Sequence, residues 1–223
     1  VSTWSELLAT LRRWRAERLP HALFVPAAVT IALASAVSEP LGPVLLWRVL
    51  LAWASIGLCR LWDDLEDRAR DRVDHPDRVW LGAFPMRLGA LVASGLLGIA
   101  VRAPGMLVLG VALFTFYRLR RGPSEAVLLL KYPAMVAVLH GGVDGPVLGG
   151  MLVLYGALLA DADLHTAGRA VHLLGTIVLL GFATLAVWPV LIGSWLASAW
   201  MPTRTTRVAA VAVQILSVAV TGS

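Results

Sequence analysis

Charge is scarce in this chain. Only 15% of its 223 residues are Asp, Glu, Lys or Arg, against 58% hydrophobic, and the mean hydropathy is +0.77. These proportions exclude an ordinary water-soluble domain, in which about a quarter of residues carry charge. Lysine is nearly missing, with Lys131 the only one among 19 basic residues. Cysteine is nearly missing as well, and the lone Cys59 excludes an intramolecular disulfide. The short alternating segments of a membrane barrel are lacking, and apolar runs of roughly 16–22 residues recur instead. An all-α polytopic membrane protein is the expectation. The net charge of +5 comes from arginines scattered over short loops, which excludes a nucleic-acid-binding surface and fits positive-inside topology.

Such charge as there is gathers in one place. Half of the 14 acidic residues fall between Asp63 and Asp77, at the end of an apolar segment long enough to cross a bilayer. On a continuous helix Asp64, Asp67 and Asp71 stand at i, i+3 and i+7 and share a face. Three carboxylates on one face repel unless a cation lies between them, which predicts a magnesium site. Arg60, Arg68, Arg70, Arg72 and Arg78 surround the run and suit an anionic ligand. The plainer account is a charged helix end balanced by its arginines. Placement at the end of a membrane span argues against it.

Residues 1–19 predict an amphipathic interfacial helix, because Trp4, Leu7, Leu8, Leu11 and Trp14 recur at helical spacing among Arg12, Arg13, Arg15 and Arg18. Residues 20–221 predict the transmembrane domain. Its spans fall at about 21–37, 44–62, 85–101, 106–117, 126–140, 146–160 and 208–220. The apolar stretch 172–200 would be roughly 43 Å long as one helix, so Pro189 either divides it into two spans or kinks one. Eight or nine spans result. Alternation puts the N-terminal helix, the acidic run, the loop with Arg118, Arg120 and Arg121, and the segment 161–169 on one side. The opposite turns hold only Glu39, Arg102 and Asp144, so the arginine-rich side is cytoplasmic. Division at Pro189 also places Arg204 and Arg207 inside, favouring nine.

Within this frame the chain resembles the UbiA superfamily of intramembrane prenyltransferases, over roughly residues 20–200. That family carries N-D-x-x-D-x-x-x-D after its second span; here the run is Asp63-Asp64-x-x-Asp67-x-x-x-Asp71, with Asp for the leading Asn. The continuation Asp74-His75-Pro76-Asp77-Arg78 is similar too. The family's second motif, D-x-x-x-D after span six, is matched by Asp161 and accompanied by Asp163. His165 stands where the second aspartate belongs. Magnesium prefers oxygen ligands, so this substitution alters the second metal site.

The resemblance implies a bundle with a central cavity open to the cytoplasm, in a multi-pass protein of a cell's inner membrane. It implies a polyprenyl diphosphate held through magnesium by Asp63, Asp64, Asp67, Asp71 and Asp161, ionised, and its prenyl group passed to an aromatic or other lipophilic acceptor. Asp64, Asp67 and Lys131 are the expected catalytic residues. Arg68, Arg120, Arg121, Lys131, Asp163 and His165 are the expected substrate contacts. An intramembrane cation such as Lys131 is by default functional, the plainer account being a side chain that snorkels to the interface. Tyr117 and Tyr155 read as interfacial belt residues, and His140 and His172 as satisfied packing histidines. Two alternatives stay open. One is a terpene cyclase of the same superfamily, and the other a non-catalytic homologue that binds lipid.

Overall fold

The computed structural model describes residues 4–39, 42–74, 76, 85–119, 125–200 and 204–221, apart from the side chains of 200 and 204–206. Among them the chain is all-α, with no strand. The helices are α1 (Trp4–Arg18), α2 (His21–Ser35), α3 (Pro43–Glu66), α4 (Arg68–Asp74), α5 (Pro85–Ala100) and α6 (Gly105–Leu119). They continue as α7 (Glu125–Leu129), α8 (Lys131–His140), α9 (Gly145–Asp161), α10 (His165–Leu180), α11 (Trp188–Trp200) and α12 (Arg204–Thr221). A 3-10 turn at Leu185–Val187 leads into α11.

Local chemistry sets several of these ends. Pro43 opens α3, where a missing N–H costs nothing. The Asp144 side chain accepts from the Val147 amide at 2.8 Å and caps α9. Gly141, at φ +92°, closes α8 in the left-handed conformation that other residues resist.

Three breaks differ from the sequence expectation. The acidic run is not one helix: α3 ends at Glu66, Asp67 is its C-cap, and Asp71 lies in the first turn of α4. Carboxylates oppose the negative end of a helix dipole and favour the positive end, so a break at Asp67 suits Asp71. Residues 126–140 are also two helices. Pro133 cannot donate to the Leu129 carbonyl and crowds it, so α7 stops at Leu129 and Lys131 begins α8. The stretch 172–200 divides at residues 181–184, before Pro189, which lies in the opening turn of α11. The expected polar segment 161–169 shrinks to residues 162–164, because His165 already starts α10.

α2 forms the centre, packed against α3, α8, α9 and α12. Its C-terminal half offers mostly small buried residues (Ala28, Ala32, Ala34 and Ser35), which let its neighbours approach closely. The closest pairing is α9 with α10. Gly149 and Gly156 face Gly168 and Gly175 across the contact, and a Cβ on Gly156 would lie 2.4 Å from the His172 nitrogen and 2.6 Å from the Gly168 oxygen. Those are backbone atoms and cannot move aside cheaply. This contact fixes where Asp161, at the end of α9, stands relative to the rest of the bundle.

By length and apolarity together, α3 is the one described helix that suffices for a membrane crossing, or two are reached if α1 and α2, bent by 80°, count as a single broken span. Further apolar helices are shorter, including α5, α6 and α9. α5 and α6 expose apolar side chains: Leu97, Val108 and Val111 are more than half exposed, as is Val101 just past the end of α5.

Gly156→Ala is expected to destabilise the protein by about 1–3 kcal/mol through overpacking. Gly98→Ala, on α5 with nothing within 4 Å of the added carbon, should be neutral or stabilising by up to about 1 kcal/mol. Denaturant titration of both variants checks the contrast.

Candidate functional site

Asp63 and Asp64 are adjacent residues in the last turn of α3, and both are buried. A buried carboxylate needs a cation or several hydrogen bonds, and here the two aspartates recruit different ones. Asp63 accepts from the Lys131 ammonium at the start of α8 and from the Tyr117 hydroxyl near the end of α6. Asp64 is held by α1. Arg18 approaches both its oxygens, with Nη2 to Oδ1 at 2.8 Å and Nε to Oδ2 at 3.2 Å, and the Trp14 indole donates to Oδ2 at 2.8 Å. A two-pronged arginine contact of this kind is the strong form of an ion pair. Burial alone would make the Arg18 guanidinium a stronger acid, but its hydrogen bond and charge contact with Asp64 hold it above the ordinary arginine value.

Asp63, Lys131 and Arg18 of this cluster line a cavity of about 660 Å³. The lining brings together Asp63, Asp67, Asp161 and Asp163 with Arg18, Arg60, Arg70, Lys131 and Arg207. The same lining includes apolar residues: Leu23, Phe24 and Ile31 of α2, Leu128, Leu154 and Leu158, and Val208 and Val211 of α12. The two acidic segments, 63–71 and 161–163, therefore open into one space. Asp161 faces Arg207 at 4.0 Å, and Asp163 takes a left-handed backbone at φ +62° with its side chain almost wholly exposed. The Nε atoms of Arg60 and Arg207 are buried without a hydrogen-bond partner among the described residues. Unsatisfied buried donors of this kind mark where an acceptor belongs.

Other expected residues stand elsewhere. Asp64 and Asp71 are buried, and neither lines the cavity; Asp71 is on α4, beyond the break. Arg70 rather than Arg68 reaches the lining. His165 lines a separate cavity of about 160 Å³, bounded also by Arg169, His172, Trp195 and Ser198, and is itself half-exposed. Arg120, Arg121, His75, Asp77 and Arg78 lie outside the described residues. Among the described residues no three His, Cys, Asp or Glu side chains form a group that could hold a metal ion by themselves.

Three contributors escaped sequence reasoning: Trp14 and Arg18 read as part of an interfacial helix, and Tyr117 as a belt residue. Arg60, one of the arginines expected to suit an anionic ligand, does line the cavity. Tyr117 had no distinguishing signal, because only the packing of α6 against α5 and α8 brings its hydroxyl to Asp63. Arg18 had a faint one: a basic residue between an amphipathic helix and a span whose C-terminal neighbour carries buried acids.

His140 and Arg48 belong to a different ionic group, away from the cavity lining. Arg48 meets the Ser35 carbonyl at 2.7 Å and Glu39 at 2.9 Å, and His140 shares the same carbonyl at 3.0 Å. His172 lies between Gln214 at 2.9 Å and Ser198 at 3.2 Å, tying α10 to α12 and α11. Tyr155 donates to the Ala126 carbonyl at 2.9 Å and so holds α9 to α7.

Compared with known protein families, curated proteins and solved structures, the chain shows no match.

Breaking the Asp63–Lys131 pair from one side leaves an uncompensated buried charge. Lys131→Met is expected to cost about 3–5 kcal/mol, and adding Asp63→Leu should recover most of that loss. A double-mutant cycle on unfolding free energies measures it.

Proposed function

We propose that this chain is a magnesium-dependent intramembrane prenyltransferase of UbiA type, a multi-pass protein with its cavity mouth toward the cytoplasm. The observation that carries the reading is the cavity whose lining combines acids and arginines with apolar side chains. A diphosphate head with a long apolar tail needs both kinds of surface. The volume lies in the range of about 300–1,000 Å³ common for small-molecule sites. The apolar outward faces of α5 and α6 support placement in lipid, since contiguous exposed apolar surface of that kind is unfavourable in water.

The donor set suits magnesium carried with a diphosphate. Magnesium takes oxygen ligands, keeps several waters and is held by one or two carboxylates plus substrate phosphates rather than by an all-protein cage. Asp67 and Asp161 would hold it together with Asp63, and Asp163 is part of the same lining. When bound, the metal supplies charge stabilisation to the departing pyrophosphate.

The chain's own groups do the rest. Arg60 and Arg207 offer their unpaired Nε donors to phosphate oxygens, and Arg70 and Lys131 add positive charge in the same lining. As the allylic C–O bond breaks, negative charge grows on the leaving oxygen, and fixed cations in a dry setting stabilise that charge more than water does. Leu23, Phe24, Ile31, Leu154 and Leu158 enclose the prenyl tail and keep water from the allylic carbocation. An aromatic or other lipophilic acceptor then forms the new bond to the allylic carbon and gives up a proton to water or the released pyrophosphate.

One observation favours a second reading. His165, the substitute for an acid of the second motif, lines a different cavity, so the second acidic segment contributes fewer ligands than the family pattern implies. Reduced head-group binding with an intact ionisation site fits a terpene cyclase of the same superfamily.

Asp67→Asn and Asp161→Asn should each lower magnesium-dependent pyrophosphate release from a prenyl diphosphate by about 10²-fold or more. Undiminished release in both would overturn the proposal. Products formed from prenyl diphosphate alone separate the two readings: a cyclic hydrocarbon or terpene alcohol identifies cyclisation.

A further inference from the structure

The smaller cavity, of about 160 Å³, is chemically unlike the larger one. Its lining holds Arg169, Arg207, His165 and His172 and no acid, whereas acids and bases are mixed in the larger lining. The two linings share only Ala157 and Arg207. A pocket whose charged side chains are all cations is relieved of their mutual repulsion when an anion enters. Two acids outside the lining approach it without closing on its cations. Asp161 stands 4.0 Å from Arg207 and Asp163 3.6 Å from His165, both beyond hydrogen-bond length. Asp163 is almost wholly exposed, so water and salt screen it. The Arg207 Nε is buried and has no hydrogen-bond partner among the described residues, a penalty that an incoming acceptor removes.

The rest of the pocket is neutral and fixed. The Gln214 amide nitrogen donates to the Thr176 hydroxyl at 2.8 Å, which turns the amide oxygen to His172 Nε2 at 2.9 Å. His172 therefore carries its proton on Nε2. Its Nδ1 and the Trp195 carbonyl are the two acceptors for the Ser198 hydroxyl, at 3.2 and 2.9 Å. These side chains use their donors on one another, so the attraction for an anion comes from arginine. Arg169 reaches only the Ala199 carbonyl, at 3.4 Å, a weak contact that a stronger acceptor displaces. Gly156 and Gly168 hold one wall at backbone contact, which keeps the pocket's width constant.

We propose that this pocket binds a single phosphate group, held by Arg169 of α10 and Arg207 of α12, at a site apart from the larger cavity. A phosphate carries close to two negative charges near neutral pH and so engages both arginines, where a carboxylate would satisfy one. The volume lies below the range of about 300–1,000 Å³ common for larger ligands, which suits one oxyanion group. Its source is inorganic phosphate or the head group of a phospholipid, since basic pockets between apolar helices suit either. The site stands on the smaller cavity's own residues and does not depend on the prenyl reading.

Protein labelled with 5-fluorotryptophan carries nine fluorine reporters, and Trp195→Phe assigns the one in the pocket. Inorganic phosphate should shift that resonance saturably. Arg207→Gln should weaken binding about tenfold, as the loss of one charge-assisted hydrogen bond. Arg169→Gln should weaken it about threefold, because that side chain is exposed. Arg207→Lys and Arg169→Lys keep the charge, guard against a folding defect and should restore part of the affinity. Arg70→Gln, in the larger lining alone, should leave it unchanged. Dihexanoyl phosphatidic acid, set against dihexanoyl phosphatidylcholine, separates the sources. Tighter binding than inorganic phosphate identifies a lipid head group, and equal or weaker binding identifies the free ion. A Trp195 resonance that neither phosphate probe moves overturns the proposal. So does a shift that survives both glutamine variants at full affinity, or one that Arg70→Gln weakens as much as Arg169→Gln does.

Discussion

Two adjacent buried carboxylates at the C-terminal end of α3 are the constraint on which the rest of the site depends. Neither can stay ionised in a packed interior without a cation. Asp63 draws the start of α8 and the end of α6 toward it, through Lys131 and Tyr117, and Asp64 draws α1 across the mouth through Arg18 and Trp14. One short acidic sequence thereby fixes the relative positions of four helices. The same contacts bring Arg18 and Lys131 into the cavity lining.

The opposite wall has a different origin. There the α9–α10 hairpin closes on backbone contact, because four glycines leave no side chain in the way. Close approach of two helices gains dispersion energy and fixes the pitch of both. Asp161, at the end of α9, lines the same cavity as Asp63, with Arg207 4.0 Å away. A polar mouth held by ion pairs is thus set against a wall held by packing.

Much of the helical order was legible in residue types. α2, α5, α6, α9 and α12 lie close to the apolar runs that foretold them, because long apolar segments leave the backbone few ways to satisfy its own hydrogen bonds. Where reading failed, a local rule was outweighed. A helical spacing of Asp64, Asp67 and Asp71 presumes one helix, and helix-end electrostatics favours a break at Asp67. A single span over residues 126–140 presumes that Pro133 is tolerated, yet its ring and missing amide stop α7 at Leu129. Pro189 was correctly noticed as disruptive, but a proline suits the first turn of a helix, and the chain divides just ahead of it. For the site, residue chemistry pointed to the acidic run, Lys131 and Asp161. It could not show which acids face the cavity and which lie buried against arginine.

Composition and spacing by themselves determined that this chain is helical throughout its described length, that its acids concentrate at one connection, and that its only lysine sits in an apolar setting. These follow from short-range rules: backbone hydrogen bonding, helical period and the scarcity of charge. Tertiary structure alone decided that Lys131 and Arg18 neutralise Asp63 and Asp64, that Tyr117 and Trp14 complete them, and that His165 faces away from the main cavity. Those pairings join residues 46 to 68 positions apart. Their physical reason is burial, because the energy of a charge depends on what packs around it, and no one-dimensional pattern records that.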